Sequence, residues 1–319
     1  MRVITLGVHV VDVLARPVTE IPEGQGGTLL EEIRITAAGS AGGTAITLAK
    51  LGAEVASAGA IGTDALGDVL LDLLGRAGVD TELLVRRDEV QTSASVLPIR
   101  PDGSRPALHV VGANATYSAA DAPWAAIEKA THLHLGAPEF MGGEAAAEIL
   151  AFARRHGVVT SADLLAPGDQ AASVLDWIAP AFEHLDYLLP NDDQVLGLSG
   201  ADELVAGCQI LLDRGVGCIA VTRGAEGAVV VDPHGVEPVP AFAVGVVDTT
   251  GCGDAFSAGF LRGLDLGRTR PAAATLGCAC AGLVATGLGS DHGTFDLSTV
   301  DAFIAQTPTL PTTRRPSLT

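Results

Sequence analysis

At 319 residues, with 48% apolar but only 4% aromatic, the chain can form one large α/β domain or two ordinary ones, with an aliphatic core. Its 38 acidic against 19 basic residues give a formal charge of −19, which argues against a nucleic-acid surface or an anionic membrane face. Five cysteines, odd in number and without a Cys-x-x-Cys pair, fit a reducing compartment, and the N-terminal apolar run is too short for a signal peptide, so a soluble, cytoplasmic protein is expected.

Val3 to Val8 reads as a buried strand that delivers Asp12 just past its end. Carboxyl ends of strands hold ligands in open α/β sheets, although a solvated loop residue is the alternative for Asp12. Proline and glycine punctuate the chain from Pro17 to Gly27, and Thr28 to Thr36 then alternates as a half-exposed strand does. A glycine-rich turn at Gly39, Gly42 and Gly43 opens a helix from Thr44 to Leu51, stopped by Gly52. Such an entry brings helix N–H groups close to a ligand, or simply packs helix on sheet. Val55 to Ile61 is a strand and Ala65 to Ala77 a helix closed by Gly78. Thr92 to Ile99 and Ala107 to Val111 read as strands around a Pro101-Asp102-Gly103 turn.

From Thr131 the rhythm is regular. Strands are expected at His132 to Leu135, Val158 to Asp163, Tyr187 to Leu189, Cys218 to Thr222 and Ala228 to Val231. Helices are expected at Glu144 to His156, Ala171 to Ile178 and Ala201 to Arg214. This alternation predicts an α/β fold with a doubly wound, mostly parallel sheet flanked by helices. No low-complexity linker divides the chain, so one domain over 1–319 is expected. Hairpin-like strands in about 13–37 and 86–112 suggest a small β lid, and 307–319, rich in Pro, Ser and Thr, a peripheral tail.

The stretch Asp248-Thr249-Thr250-Gly251-Cys252-Gly253-Asp254 lies between a Val-dense, β-rich run (Val244, Val246, Val247) and an apolar segment with helical spacing. Two glycines at a helix N-terminus let N–H groups approach an anion, and Asp254 adds a potential base, the minimum apparatus for phosphoryl transfer. A Gly-rich turn with a helix-start carboxylate is the plainer reading. A Walker A loop, the Gly-x-Gly-x-x-Gly fingerprint, His-Glu-x-x-His and Gly-x-Ser-x-Gly are all absent. His132 and His134, alternating with leucines on one strand, read as packed histidines.

These motifs together make the chain resemble the ribokinase/PfkB family of carbohydrate and nucleoside kinases along nearly its whole length. Asp248 to Asp254 is similar to the family's Asp-Thr-x-Gly-Ala-Gly-Asp, with Cys252 for Ala. Gly39 to Gly52, Ile61 to Gly67, Gly112-Ala113-Asn114, Pro190-Asn191 and Val221 to Gly227 are family-like too. The resemblance implies a ribokinase-like fold and ATP-dependent phosphorylation of a sugar hydroxymethyl group, with Mg²⁺. Asp254 would be the base and the N–H groups of Gly251, Cys252 and Gly253 the anion hole. Asp12, Gly39, Gly43 and Asn114 would line the acceptor site, and Asn191, Thr222, Gly224 and Gly227 the nucleotide site. Asp248 and Thr250 resemble the loop that holds a monovalent cation, which makes K⁺ a candidate. A nucleoside kinase of the same fold and a non-catalytic sugar- or nucleotide-binding regulator are the alternatives, and family members often form homodimers through the lid. Two departures stand out: Gly43 occupies the position of a family Asn, and Gln194 that of a family Glu.

Overall fold

The computed structural model describes residues 1–101, 103–165 and 168–311. Strands β1 (Arg2–Gly7), β2 (Val10–Arg16) and β3 (Glu32–Ala38) lead into α1 (Ser40–Lys50), β4 (Glu54–Gly62), α2 (Ala65–Arg76), β5 (Leu84–Arg87), β6 (Ala94–Pro98) and β7 (Leu108–Val110). A one-turn helix α3 (Trp124–Ile127) precedes β8 (His132–Gly136), α4 (Gly143–Arg155), β9 (Val159–Asp163), α5 (Gly168–Phe182), β10 (Tyr187–Leu188), α6 (Asp192–Ser199) and α7 (Leu204–Asp213). Then come β11 (Ile219–Thr222), β12 (Ala228–Asp232), β13 (Gly235–Val239), α8 (Cys252–Asp265), α9 (Arg270–Val284) and α10 (Leu297–Gln306).

Nine strands form one sheet in the order β13-β12-β11-β10-β9-β8-β1-β4-β5, parallel except at β11–β12 and β12–β13. Successive side chains on its strands enter different cores, because a strand presents alternate residues to opposite faces. Ile4 and Leu6 pack with Leu133, Leu135, Ile149 and Leu150, whereas Val3 packs with Ile46, Val55 and Leu70. Val229 and Val231 join the first core, and Val230 meets Phe256 and Phe260. Both faces are therefore buried, which is why these strands read as near-continuous apolar runs. Among the described residues, no single helix is long and apolar enough to cross a membrane.

A second, four-stranded sheet has the order β3-β2-β6-β7. Its register places Thr36, Asp12, Ser95 and His109 in one cross-strand row and Ile35, Val13, Val96 and Leu108 in the next. Adjacent rows point to opposite faces, so the polar Asp12 row and the apolar Val13 row lie on opposite sides of this sheet.

Several expectations shift. Asp12 lies within β2 rather than in a loop after the first strand. The strand expected from Thr28 begins at Glu32, since 28–31 have no partner strand. The Val-dense run 244–247 is not a strand: the large sheet ends at β13, and Val247 donates instead to the carbonyl of Ala285. Asp102, centre of the expected turn, lies outside the described residues, as do 312–319 of the tail. The tail expected to be peripheral is tied down at its start, where Ala243 donates to the Pro308 carbonyl and Leu310 to that of Ala241. Cys278 and Cys280 are buried free thiols, and so are His132 and His134 buried, the latter sharing a 3.0 Å hydrogen bond with Ser161 Oγ.

Candidate active site

Two cavities meet at the carboxyl edge of the large sheet. The larger, about 690 Å³, is walled by the polar row of the small sheet, the N-termini of α1 and α8, and the ends of β9 and β10. The smaller, about 340 Å³, lies between the β11–β12 turn and helices α8 and α9. Thr222, Thr249 and Gly253 line both, so a molecule in one can reach a molecule in the other beside Gly253.

Helix α8 supplies the junction. Gly251 caps it with φ 77, a left-handed conformation that favours glycine, and it packs against Ser290 so closely that no Cβ would fit. Gly253 has the opposite reason for lacking a side chain: a Cβ there would meet no protein atom and would project into the space shared by the cavities. Cys252 N–H donates to the Thr249 carbonyl at 3.2 Å. It is thereby removed from the expected anion hole, because that hydrogen is already used in the turn. The N–H groups of Gly251, Gly253 and Asp254 have no partner among the described residues, which leaves three open donors at the positive end of the α8 dipole beside the larger cavity. Burial raises the Cys252 thiol to about 12, so it stays neutral there.

Asp254, in the first turn of α8, lies partly exposed on the floor of the larger cavity. Burial first, then the charge of Asp12, pushes its carboxyl up to about 7, and Arg105 opposes the shift. Asp12 is raised to about 6 by burial, partly offset by a hydrogen bond from Ser95 and by Arg105. Two carboxyls facing one cavity are thus held near neutrality, where proton acceptance is most effective.

The remaining expected residues separate into lining and supporting groups. Gly39, at the N-terminus of α1, lines the larger cavity, and a Cβ on it would fall 2.5 Å from the Val8 carbonyl oxygen. Gly43 does not contact that space with any side-chain atom; it makes room for Asp254, whose Cβ and Cγ lie 2.9 Å from where a Cβ would sit. Asn114 is not a lining residue. It is buried, accepts from His9 N at 3.1 Å and donates to His9 O at 3.0 Å, so its amide is spent on the main chain between β1 and β2. Asn191 and Thr222 line the larger cavity, and Gly224 and Gly227 the smaller. Asp248 is buried, and its carboxylate accepts from Thr250 N, Thr250 Oγ1 and Gly289 N. The side chains of Asp248 and Thr250 therefore satisfy one another and do not fit a cation site built from side-chain oxygens.

Asn191 caps α6 by accepting from Gln194 N at 2.8 Å, while Gln194 Oε1 accepts from Asn191 N and its Nε2 donates to the Leu164 carbonyl. Gln194 is thus a capping residue. Asp192 and Asp193 do not line the cavity, but Asp163, at the end of β9, and Glu139 do. Burial and the charges of Asp254 and Glu139 hold Asp163 well above the usual carboxylate range. Among the described residues no group of three or more carboxylates, histidines or cysteines is arranged to hold a metal ion by itself, so Asp163 and Glu139 are carboxylates beside the cavity. Glu139 reaches the cavity through Ala137, whose φ of 57 turns the chain sharply after β8. Ser95, Arg105, His109, Glu139 and Asp163 were not identified from sequence. Asp163 could have been, as a carboxylate at a strand's carboxyl end, and Ser95 and His109 only once the register with Asp12 is known.

A doubly wound, mostly parallel sheet with a small second sheet and a cavity at its carboxyl edge is the ribokinase-like fold. The chain belongs to the pfkB family of carbohydrate kinases, which it matches over residues 5–295. It is 32% identical over 261 residues to an ATP-dependent ribose-1-phosphate kinase of Halopiger xanaduensis, covering 82% of this chain and 84% of that one. To a nucleoside kinase of Methanothermobacter thermautotrophicus it is 28% identical over 258 residues, 77% and 79% of the two chains. A provisionally assigned ribokinase II from E. coli, solved with ATP and Mg²⁺, superposes with a TM-score of 0.83 over 96% of this chain and 99% of that one, at 22% identity. The protein is a kinase acting on an alcohol group of a sugar or nucleoside.

Proposed function

We propose that the protein transfers the γ-phosphoryl group of ATP to a hydroxymethyl group of a sugar or sugar-like acceptor held in the larger cavity. The observation that carries this reading is Asp254 beside three unpartnered N–H groups, at the point where the two cavities meet. In this mechanism Asp254 accepts the acceptor's hydroxyl proton as the oxygen attacks the γ-phosphorus. The N–H groups of Gly251, Gly253 and Asp254 take up negative charge on the transferring group, and ADP leaves into the smaller cavity. Mg²⁺, near Asn191 and Asp163, would neutralise phosphate charge. Apolar walls of Ala241, Phe242, Val244 and Ala281 suit an adenine ring in the smaller cavity. Asp12 and Ser95 would read acceptor hydroxyls. A nucleoside acceptor is the second reading, favoured by the apolar wall of Val8, Val10, Leu97 and Phe140. ADP release measured across a panel of pentoses, hexoses and nucleosides with Mg²⁺, with and without K⁺, tests both; activity confined to nucleosides would replace the first by the second. K⁺ stimulation would place that ion on main-chain carbonyls, since the Asp248 and Thr250 side chains are taken.

The small sheet would act as a lid, and its outward row would meet a second copy of the chain. Ile33, Ile35, Val96, Leu108 and Val110 are exposed on it, an apolar face on a molecule of formal charge −19. Light scattering is expected to give a dimer for the wild type and a monomer for Val96→Glu combined with Leu108→Glu. A monomeric wild type at micromolar concentration would remove this interface.

A further inference from the structure

The loop of residues 285–296, between α9 and α10, carries three glycines and joins the small sheet to the 248–254 turn. On the turn side, Ser290 is buried against Gly251, where a Cβ would lie 2.5 Å from that of Ser290. Gly289 N donates to the Asp248 carboxylate at 2.9 Å. On the sheet side, Leu288 is buried with Leu14, Leu97 and Ile99, and Gly289 packs against Thr36. The loop therefore touches both the sheet over the larger cavity and Gly251, whose N–H is one of the three open donors.

Two cations hold the loop in that place. Lys50, the last residue of α1, donates from Nζ to the carbonyls of Asp291 at 2.8 Å and His292 at 2.9 Å. The same ammonium lies 4.7 Å from the centre of the Phe295 ring. Arg34, on β3, pairs with the Asp291 carboxylate at 2.9 Å. A part-exposed ion pair alone contributes little, but here both cations converge on Asp291 and take its carboxylate and its carbonyl. Burial draws Lys50 down to about 8, a shift that Asp291 opposes and Arg34 reinforces. Cys280 on α9, raised to about 12, and His292, held below its ordinary value by burial, also face Lys50 and are neutral near pH 8.

We propose that Lys50 and Arg34 are positioning residues for phosphoryl transfer, holding residues 288–291 against Gly251 so that the small sheet, α1 and the open N–H donors keep one relative placement. This rests on the kinase reading above. Neither side chain lines either cavity, so an effect of either on turnover runs through the loop.

The test follows kcat and KM against pH for wild type, Lys50→Met, Lys50→Arg, Arg34→Gln and the double variant Lys50→Met with Arg34→Gln. Lys50→Met is expected to lower kcat about 10-fold at neutral pH and to leave KM for ATP within about twofold, since a displaced donor costs more in the transition state than in binding. Wild-type kcat should fall above about pH 8, as the ammonium loses its proton. Lys50→Met should have no such limb, and Lys50→Arg, whose guanidinium stays charged, should hold its plateau. The double variant should lose little more than Lys50→Met alone, because both cations act through one loop. Wild-type turnover in Lys50→Met, an alkaline limb that survives in it, or losses that multiply in the double variant would overturn the proposal. Hydrogen exchange on the nucleotide-free protein reads the loop apart from catalysis. Protection of residues 288–292 that Lys50→Met leaves unchanged defeats the clamp, whereas protection lost in that variant, with no ADP release from wild type, upholds the clamp and defeats the kinase reading.

Discussion

Replacing Asp254 by Asn is expected to lower kcat by about 10³-fold while ATP affinity changes little, because the variant keeps the helix N-terminus and loses only the proton acceptor. The wild-type pH profile should carry the same signature. With its carboxyl near 7, Asp254 is a base only when ionised, so kcat/KM falls tenfold per unit as pH drops below about 7. Asp12 raises that value and Arg105 lowers it, so Asp12→Asn should move the acid limb to lower pH and Arg105→Gln to higher pH. Stability responds in the opposite sense from a paired carboxylate. The folded-state value lies above the ordinary 3.8, so the ionised form opposes folding, and the cost grows from about pH 4 to pH 7 and stays above it. Asp254→Asn should therefore stabilise the protein by about 2 kcal/mol at pH 8, after a discount for partial exposure, and by almost nothing at pH 4. Near wild-type turnover in the variant, measured by ADP release, would remove Asp254 from the base role.

Substitution of Gly43 should be the second large loss. A glycine inside a helix ordinarily gains up to about 1 kcal/mol on replacement by Ala. At Gly43 the new methyl would run into the Asp254 carboxyl group, because α1 and α8 approach so closely that Thr44 Oγ1 donates to the Asp254 carbonyl at 3.4 Å. A displacement of the base by about an ångström costs on the order of 100-fold in kcat. Gly43→Ala is therefore expected to fold with an unchanged melting temperature and turn over about 100-fold more slowly, with KM for ATP intact. Gly43→Asn, which puts a still larger side chain against Asp254, should be worse rather than better. Unchanged kcat in Gly43→Ala would show that Asp254 can retreat at no cost.

The large sheet was legible because its strands are buried on both faces and its helices end on glycines such as Gly52 and Gly78, features that local sequence carries. The edges were harder. Val244 to Val247 has the composition of a strand, but a strand needs an edge to pair with, and β13 already closes the sheet. The glycine turn and helix start at Asp248 to Asp254 were readable, yet spacing could not reveal that Cys252 N–H is consumed by Thr249. Asn114 misled for a related reason, since an amide near a site can hold either a ligand or the main chain. Arg105 was invisible, because its meaning depends on which carboxylates surround it. The Gly43 departure looked like a missing contact; in three dimensions it is a vacancy filled by Asp254.

Strand β2 serves two clients with alternate residues, Asp12 to the cavity and Val13 to the outer face. A slip of one position along β3 would exchange them, turning a carboxyl out to solvent and an isopropyl group into the reaction chamber. Cavity lining and surface chemistry are thus locked to one phase of a two-beat pattern. Length changes can accumulate between residues 19 and 30, which pair with no strand, whereas a single inserted residue within 10–16 would invert both faces at once.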